Sequence, residues 1–135
     1  MPIIQLKVSA QPSADLTRQL TQALLEHTTG ILHKRRELTA ITIDYVPPAQ
    51  WLVGGATLAE LKQSSFYFDI KVVDETNTKQ EKAHYISACF ASLAALLGDL
   101  HPESYIHVHD VRASAYGYGG RTQEFRHQHP QPVAA

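Results

Sequence analysis

Cysteine is nearly missing: Cys89 stands alone in 135 residues. No disulfide can therefore close within the chain, and a reducing, cytoplasmic setting is expected. Charge of one sign is missing too. Twelve Lys and Arg against thirteen Asp and Glu leave a formal net charge of −1, which gives no basic footprint for nucleic acid or an anionic membrane. No apolar run approaches the ~20 residues needed to span a bilayer. The start, Met1-Pro2-Ile3-Ile4-Gln5-Leu6-Lys7, has neither the basic region nor the apolar stretch of a secretory signal. Seven Gly and seven Pro are too few for a disordered or fibrous chain. With 44% hydrophobic residues, the length fits one compact domain with a buried core.

What is present is a sequence that repeats itself. Ile41-Thr-Ile-Asp-Tyr-Val46 is followed by Pro47-Pro-Ala-Gln-Trp51-Leu-Val-Gly54-Gly55. Later the chain reads Ile106-His-Val-His-Asp-Val111, then Arg112-Ala-Ser-Ala-Tyr116-Gly-Tyr-Gly119-Gly120. Without a gap, Val46 meets Val111, Trp51 meets Tyr116 and the Gly pairs coincide. Upstream, Ile4-Gln-Leu-Lys-Val8 matches Phe68-Asp-Ile-Lys-Val72. Two matches in the same order, each offset by about half the chain, indicate duplication: one repeat over about 2–55 and a second over about 66–120, within a domain covering 1–122.

Each half reads strand, helix, strand, turn. Ile4, Leu6 and Val8 alternate with Gln5 and Lys7, as Phe68, Ile70 and Val72 do with Asp69 and Lys71. Leu16, Leu20, Leu24 and Ile31 recur at helical spacing in one half, and Ile86, Phe90, Leu93 and Leu97 in the other. Ser13 is placed to cap the first helix, Thr78 with Glu81 to form a capping box on the second, and Gly30 and Gly98 to end them. The closing strands put Ile41, Ile43, Ile106 and Val108 inward, with Thr42, Asp44, His107 and His109 outward. A strand-helix-strand unit favours a right-handed crossover between parallel strands. Two units predict an α/β fold with one four-stranded sheet and both helices on one face. Residues 56–65 link the halves, and 123–135, rich in His, Pro and Gln, read as a tail. The sheet face without helices calls for a partner, so oligomerisation is expected.

Pro2 opening a strand directly after Met1, within a duplicated strand-helix-strand chain, resembles the tautomerase superfamily. The resemblance is to fused-repeat members such as macrophage migration inhibitory factor, malonate semialdehyde decarboxylase and cis-3-chloroacrylic acid dehalogenase, while the short 4-oxalocrotonate tautomerases resemble one half. It runs from Pro2 to about Arg121, and is sharpest at Met1-Pro2, at 46–55 and at 105–120. It implies a homotrimer, a Pro2 pocket near each subunit boundary, a small-molecule substrate and no cofactor.

The chemistry explains an N-terminal proline. Inside a chain its nitrogen is a tertiary amide with no basic lone pair. Once Met1 is removed it becomes a rigid secondary amine. Free α-amino groups titrate near 7.7–8.0, and desolvation or a nearby cation lowers that further. A neutral base at pH 7 can then carry a proton between carbon and oxygen.

The resemblance also implies the substrate-binding residues. Lys34 matches a pocket lysine, although His33-Lys34-Arg35-Arg36 equally reads as a cationic helix end complementing the dipole. Tyr105 and His107 match a pocket tyrosine and a polar pocket residue able to donate to an enolate oxygen; otherwise they line a polar sheet face. Trp51, Tyr116 and Tyr118 fall on an apolar pocket wall or, alternatively, pack the hairpins. Arg121, like Arg112, could grip a carboxylate. His107 and His109 share a face as a metal pair would, but no third ligand has the spacing, and no metal is expected.

The segments after the opening strands, Ser9 to Ser13 and Asp74 to Thr78, lack the arginines of relatives acting on dicarboxylates, and no acid matches the one that activates water in the dehalogenases. The leading expectation is therefore keto–enol tautomerisation of a small α-keto acid or enolpyruvate-like compound, with Pro2 as base. The alternatives are a decarboxylase or hydratase using protonated Pro2, and a non-enzymatic signalling or scaffold trimer.

Overall fold

Alternating polarity builds the first strand. In the computed structural model, which describes residues 2–130, β1 (Ile3–Val8) buries Ile4, Leu6 and Val8 and exposes Gln5 and Lys7. The chain then leaves the sheet and enters α1 (Ala14–Gly30), where the Leu16 N–H donates to Ser13 Oγ at 3.1 Å. That bond satisfies one of the amides every helix start leaves unpaired. Leu20, Leu24 and Thr28 form the buried stripe of α1, and β2 (Ala40–Tyr45) returns parallel to β1.

Between the units lie a small hairpin, β3 (Leu52–Val53) and β4 (Ala56–Thr57), and one helical turn, α2 (Leu58–Leu61). The linking segment is thus folded rather than slack. Its end is pinned where the Ser65 N–H donates to Ser9 Oγ at 2.8 Å and the Ser65 hydroxyl donates to the Glu103 carbonyl at 3.1 Å.

The second unit repeats the path through β5 (Phe66–Val73), α3 (Lys79–Leu97) and β6 (Tyr105–Val111). The capping box is present: Thr78 Oγ1 accepts from the Glu81 N–H at 3.0 Å, and Glu81 Oε1 accepts from the Thr78 N–H at 2.7 Å. Gly98 takes φ +70 where α3 ends; Gly30 is the last residue of α1 itself, with Ile31 as its cap. The buried face of α3 includes Leu93 as expected but is centred one position earlier at its N-terminal turns. Tyr85, Cys89 and Leu93 are fully buried, Phe90 and Leu97 are partly buried, and Ile86 stays 38% exposed. The reason is a hydroxyl pair. Tyr85 Oη and Thr28 Oγ1 meet at 2.8 Å between the two long helices, and the Tyr85 ring leans on Phe68 with centroids 6.0 Å apart. A satisfied tyrosine buries more surface than an isoleucine at the next position, so the helix turns toward it.

The sheet order is β2-β1-β5-β6, parallel within each unit and antiparallel where β1 meets β5. Both long helices cover the apolar face. The other face presents Gln5, Lys7, Thr42, Asp44, Asp69, Lys71, His107 and His109 in cross-strand rows.

After β6 the path of the first unit recurs in detail: a 3-10 turn, then β7 (Gly117–Tyr118) and β8 (Arg121–Thr122), then α4 (Gln123–Gln128). The Gly pairs at the two hairpin tips take φ +61 and +84 at Gly54 and Gly55, and +61 and +79 at Gly119 and Gly120, a backbone region nearly closed to other residues. Residues 123–128, expected to be part of a tail, are therefore helical. Thr122 caps them as Thr57 caps α2. Met1 and residues 131–135 lie outside the described residues.

Candidate active site

Parallel pairing decides what surrounds Pro2. Its carbonyl accepts from the Ala40 N–H at 3.1 Å, which sets the start of β2 beside the start of β1. The Pro2 side chain is buried. It forms part of a cavity of about 360 Å3 whose other walls come from Ile3, residues 37–40 and the aromatic pair Tyr116 and Tyr118.

Each aromatic has its own anchor. The Tyr116 hydroxyl donates to the Lys71 carbonyl at 3.5 Å and also bonds the backbone of Ile3, the residue paired with Lys71 across the sheet. Burial raises its pKa, so it stays a neutral phenol. Gly117 then has to be glycine: a Cβ there would lie 2.1 Å from the Arg121 carbonyl oxygen. The Tyr118 ring lies 3.9 Å under the guanidinium of Arg126, whose Nη2 donates to the Tyr118 carbonyl at 3.0 Å.

Among the described residues, Glu37 is the one charged side chain in the pocket wall. A backbone hydrogen bond, and after it the Arg35 Nε–H donating at 2.8 Å, hold its carboxyl below the usual range, so it is ionised at neutral pH.

The other residues singled out in the sequence lie elsewhere. Trp51 and Tyr105 share a second cavity of about 570 Å3 with Tyr67 and Glu103. It belongs to the opposite end of the sheet, where Tyr105 pairs with Tyr67 and Tyr67 with Lys7. The Tyr105 hydroxyl donates to Glu103 Oε2 at 2.5 Å, which raises its pKa. His107 stands on the open sheet face with its ring 3.6 Å from that of His109. Lys34 does not line the Pro2 cavity. Its Nζ donates to Thr76 Oγ1 at 2.9 Å, and burial lowers its pKa against the opposing pull of Glu81 and Asp110. Arg121 lies 4.7 Å over the Phe125 ring and borders a separate hollow that Tyr116 and Gly117 also line. Arg112 pairs with Asp74 at 3.5 Å. One chain thus brings Pro2, Tyr116 and Tyr118 together, sets Arg121 next to them, and keeps Trp51, Tyr105 and His107 apart.

Glu37, Leu38, Thr39, Ala40 and Arg126 were not singled out in the sequence. The first four were within reach of an argument from parallel pairing, because the residue opposite Ile3 is Ala40. Arg126 was hidden by reading its segment as a tail; the matching caps Thr57 and Thr122 were the available signal. Among the described residues, no group of three His, Cys, Asp or Glu side chains is placed to hold a metal ion, and no helix is long and apolar enough to cross a membrane.

No protein-family model matches the sequence, and no curated protein matches it either. The fold is nonetheless that of tautomerase-superfamily structures. A fused 4-OT, solved as an asymmetric trimer, superposes with a TM-score of 0.78 at 17% identity, over 91% of this chain and 97% of that one. A macrophage migration inhibitory factor-like protein from Entamoeba histolytica gives 0.73 at 15% identity, over 90% and 97%. A malonate semialdehyde decarboxylase inhibited by 3-bromopropiolate gives 0.73 at 14% identity, over 96% and 99%.

Proposed function

We propose that the chain is a cofactor-independent tautomerase of the tautomerase superfamily, in which Pro2, exposed as an N-terminal amine by loss of Met1, is the general base. Its substrate is a small α-keto acid or an enolpyruvate-like compound. The observation that carries this reading is the buried proline ring forming part of a pocket with an aromatic wall. An amine held there is poorly hydrated, which disfavours the ammonium and brings its pKa down toward neutrality. The neutral nitrogen takes a proton from carbon, the enolate oxygen accepts a hydrogen bond, and the ammonium then delivers that same proton to the oxygen; ketonisation of an enol is the same transfer in reverse.

The two strand-helix-strand units descend in this reading from one duplicated ancestor, and the working form is a homotrimer, as in the fused 4-OT relatives solved as trimers. The separation of Trp51, Tyr105 and His107 from Pro2 within one chain supports a shared site, completed where one copy's Tyr105 cavity meets the next copy's Pro2 pocket. Lys34, and Arg121 beside Tyr116, are the cations assigned to the substrate carboxylate.

The test is ketonisation of phenylenolpyruvate followed in the ultraviolet. The processed protein is expected to accelerate it, Pro2→Ala to lose at least about 100-fold, and protein retaining Met1 to be inactive. Equal activity with and without Met1 rejects the base assignment. The pH profile of kcat/KM separates the leading reading from a lyase, since a base gains activity as pH rises through the amine's titration and an acid loses it.

A further inference from the structure

The wall of the Pro2 pocket contains no cation among the described residues, and its one charged group, Glu37, is negative and paired with Arg35. A neutral amine and an anionic substrate both need the opposite field. We propose that Arg126 supplies it, as a positioning residue that fixes the Tyr118 wall and holds a permanent positive charge behind it. This role rests on the reading of Pro2 as base.

The geometry is specific. The guanidinium carbon lies over the Tyr118 ring, 3.9 Å from its centroid, and Nη2 donates to the Tyr118 carbonyl at 3.0 Å. It occupies the space left by Gly119, where a Cβ would come within 2.7 Å of Nη2. Arg126 Nε is buried without a hydrogen-bond partner, and no carboxylate pairs with the group among the described residues. Among the described residues its charge thus has no counter-ion, and the half-buried group is shielded from water on the Tyr118 side. A guanidinium also stays protonated at any pH the enzyme meets.

The rest of α4 serves the same wall. Thr122 caps it, and the Gln123 N–H donates to the Tyr116 carbonyl at 2.7 Å. Each wall aromatic thus has its carbonyl held by a residue of α4, Tyr116 by Gln123 and Tyr118 by Arg126. A shift of this helix moves the wall without disturbing the core.

The experiment uses the full-length processed protein and measures covalent modification of Pro2 by 3-bromopropiolate, followed by intact mass across pH 5–9, alongside steady-state kinetics. Relative to wild type, Arg126→Met is expected to raise the pH midpoint of labelling by about half a unit or more, because a cation near an amine favours its neutral form. It is also expected to raise KM for a carboxylate substrate about tenfold. Arg126→Lys, which keeps the charge but not the planar guanidinium over the ring, is expected to hold the midpoint near wild type while KM rises about threefold. Glu124→Gln, exposed on the same helix, is the unchanged control. A wild-type midpoint and KM in Arg126→Met overturn the proposal. So does a midpoint raised by about half a unit or more over wild type in the lysine variant, a comparison that decides the matter by itself should Arg126→Met fail to fold. Absence of labelling at Pro2 in the wild type is a different result: it overturns the base reading, and this role with it.

Discussion

Gly117 and Tyr85 show how far one atom reaches in this fold. At Gly117 an added methyl meets backbone, the Arg121 carbonyl oxygen at 2.1 Å, and backbone cannot swing aside as a side chain does. The β7–β8 hairpin has to open, taking Tyr116 and Tyr118 with it. Gly117→Ala is therefore expected to lower stability by roughly 1–3 kcal/mol and to raise KM severalfold; an unchanged melting temperature and KM would refute that. Tyr85 is the reverse case, an oxygen that must stay. Tyr85→Phe removes the partner of Thr28 Oγ1 in a fully buried site. The orphaned hydroxyl is expected to cost about 1–3 kcal/mol in urea unfolding, whereas Tyr85→Phe combined with Thr28→Val recovers most of it. Burial pushes the Tyr85 hydroxyl well above its ordinary range and the Cys89 thiol up to about 12. Neither ionises at neutral pH, and Cys89 is expected to resist thiol reagents until the protein unfolds.

Among the elements, the caps separate stability from the site. Thr78→Ala removes the side-chain half of the capping box, the bond from the Glu81 N–H to Thr78 Oγ1, and should cost about 1 kcal/mol, seen as a lower urea midpoint. Thr122→Ala weakens α4, a six-residue helix with no fully buried side chain. Activity should fall while the urea midpoint stays within experimental error of wild type, and a parallel loss of both would tie α4 to the core instead. These contrasts also explain what the sequence disclosed. Alternation along Ile4, Leu6 and Val8, and cap chemistry at Ser13 and Thr78, are local, so both long helices and the main strands were legible. Along α3 the spacing places Leu93 in the core but favours Ile86 over its neighbour Tyr85, because Tyr85 reads as polar until its hydroxyl finds Thr28 across the helix pair. The pocket was legible only in part. Pro2, Tyr116 and Tyr118 could be picked out individually, but Glu37 and Ala40 arrive through sheet pairing and Arg126 through a helix only six residues long. Neither leaves a periodic trace.

At the scale of the whole molecule, the sheet face without helices carries the argument. It is polar, and it buries a carboxylate: Asp69 is 8% exposed, with Oδ1 making no hydrogen bond and only a 3.5 Å ion pair to Lys71. Beside it the His107 and His109 rings stack at 3.6 Å. Copies assembled around this face would bring several such pairs together, and sedimentation is expected to give three times the 15.0 kDa chain mass. The groups facing His109 are His107 from its own strand and Asp69 and Lys71 from β5. Burial lowers the His109 pKa below 6.5, with His107 and Lys71 acting in the same direction and Asp69 against them. A histidine with a depressed folded-state pKa favours the fold when neutral. Its contribution is therefore complete above the unfolded value, near pH 6.5, and is lost as pH falls through the folded one. The melting temperature is accordingly expected to be level from about pH 7.5 to 6.5 and to decline below that. His109→Asn, which cannot take up the proton, should flatten the decline while leaving the neutral-pH value nearly unchanged. A wild-type melting temperature level down to pH 5, or a variant with the full slope, would show that this face does not sense protons.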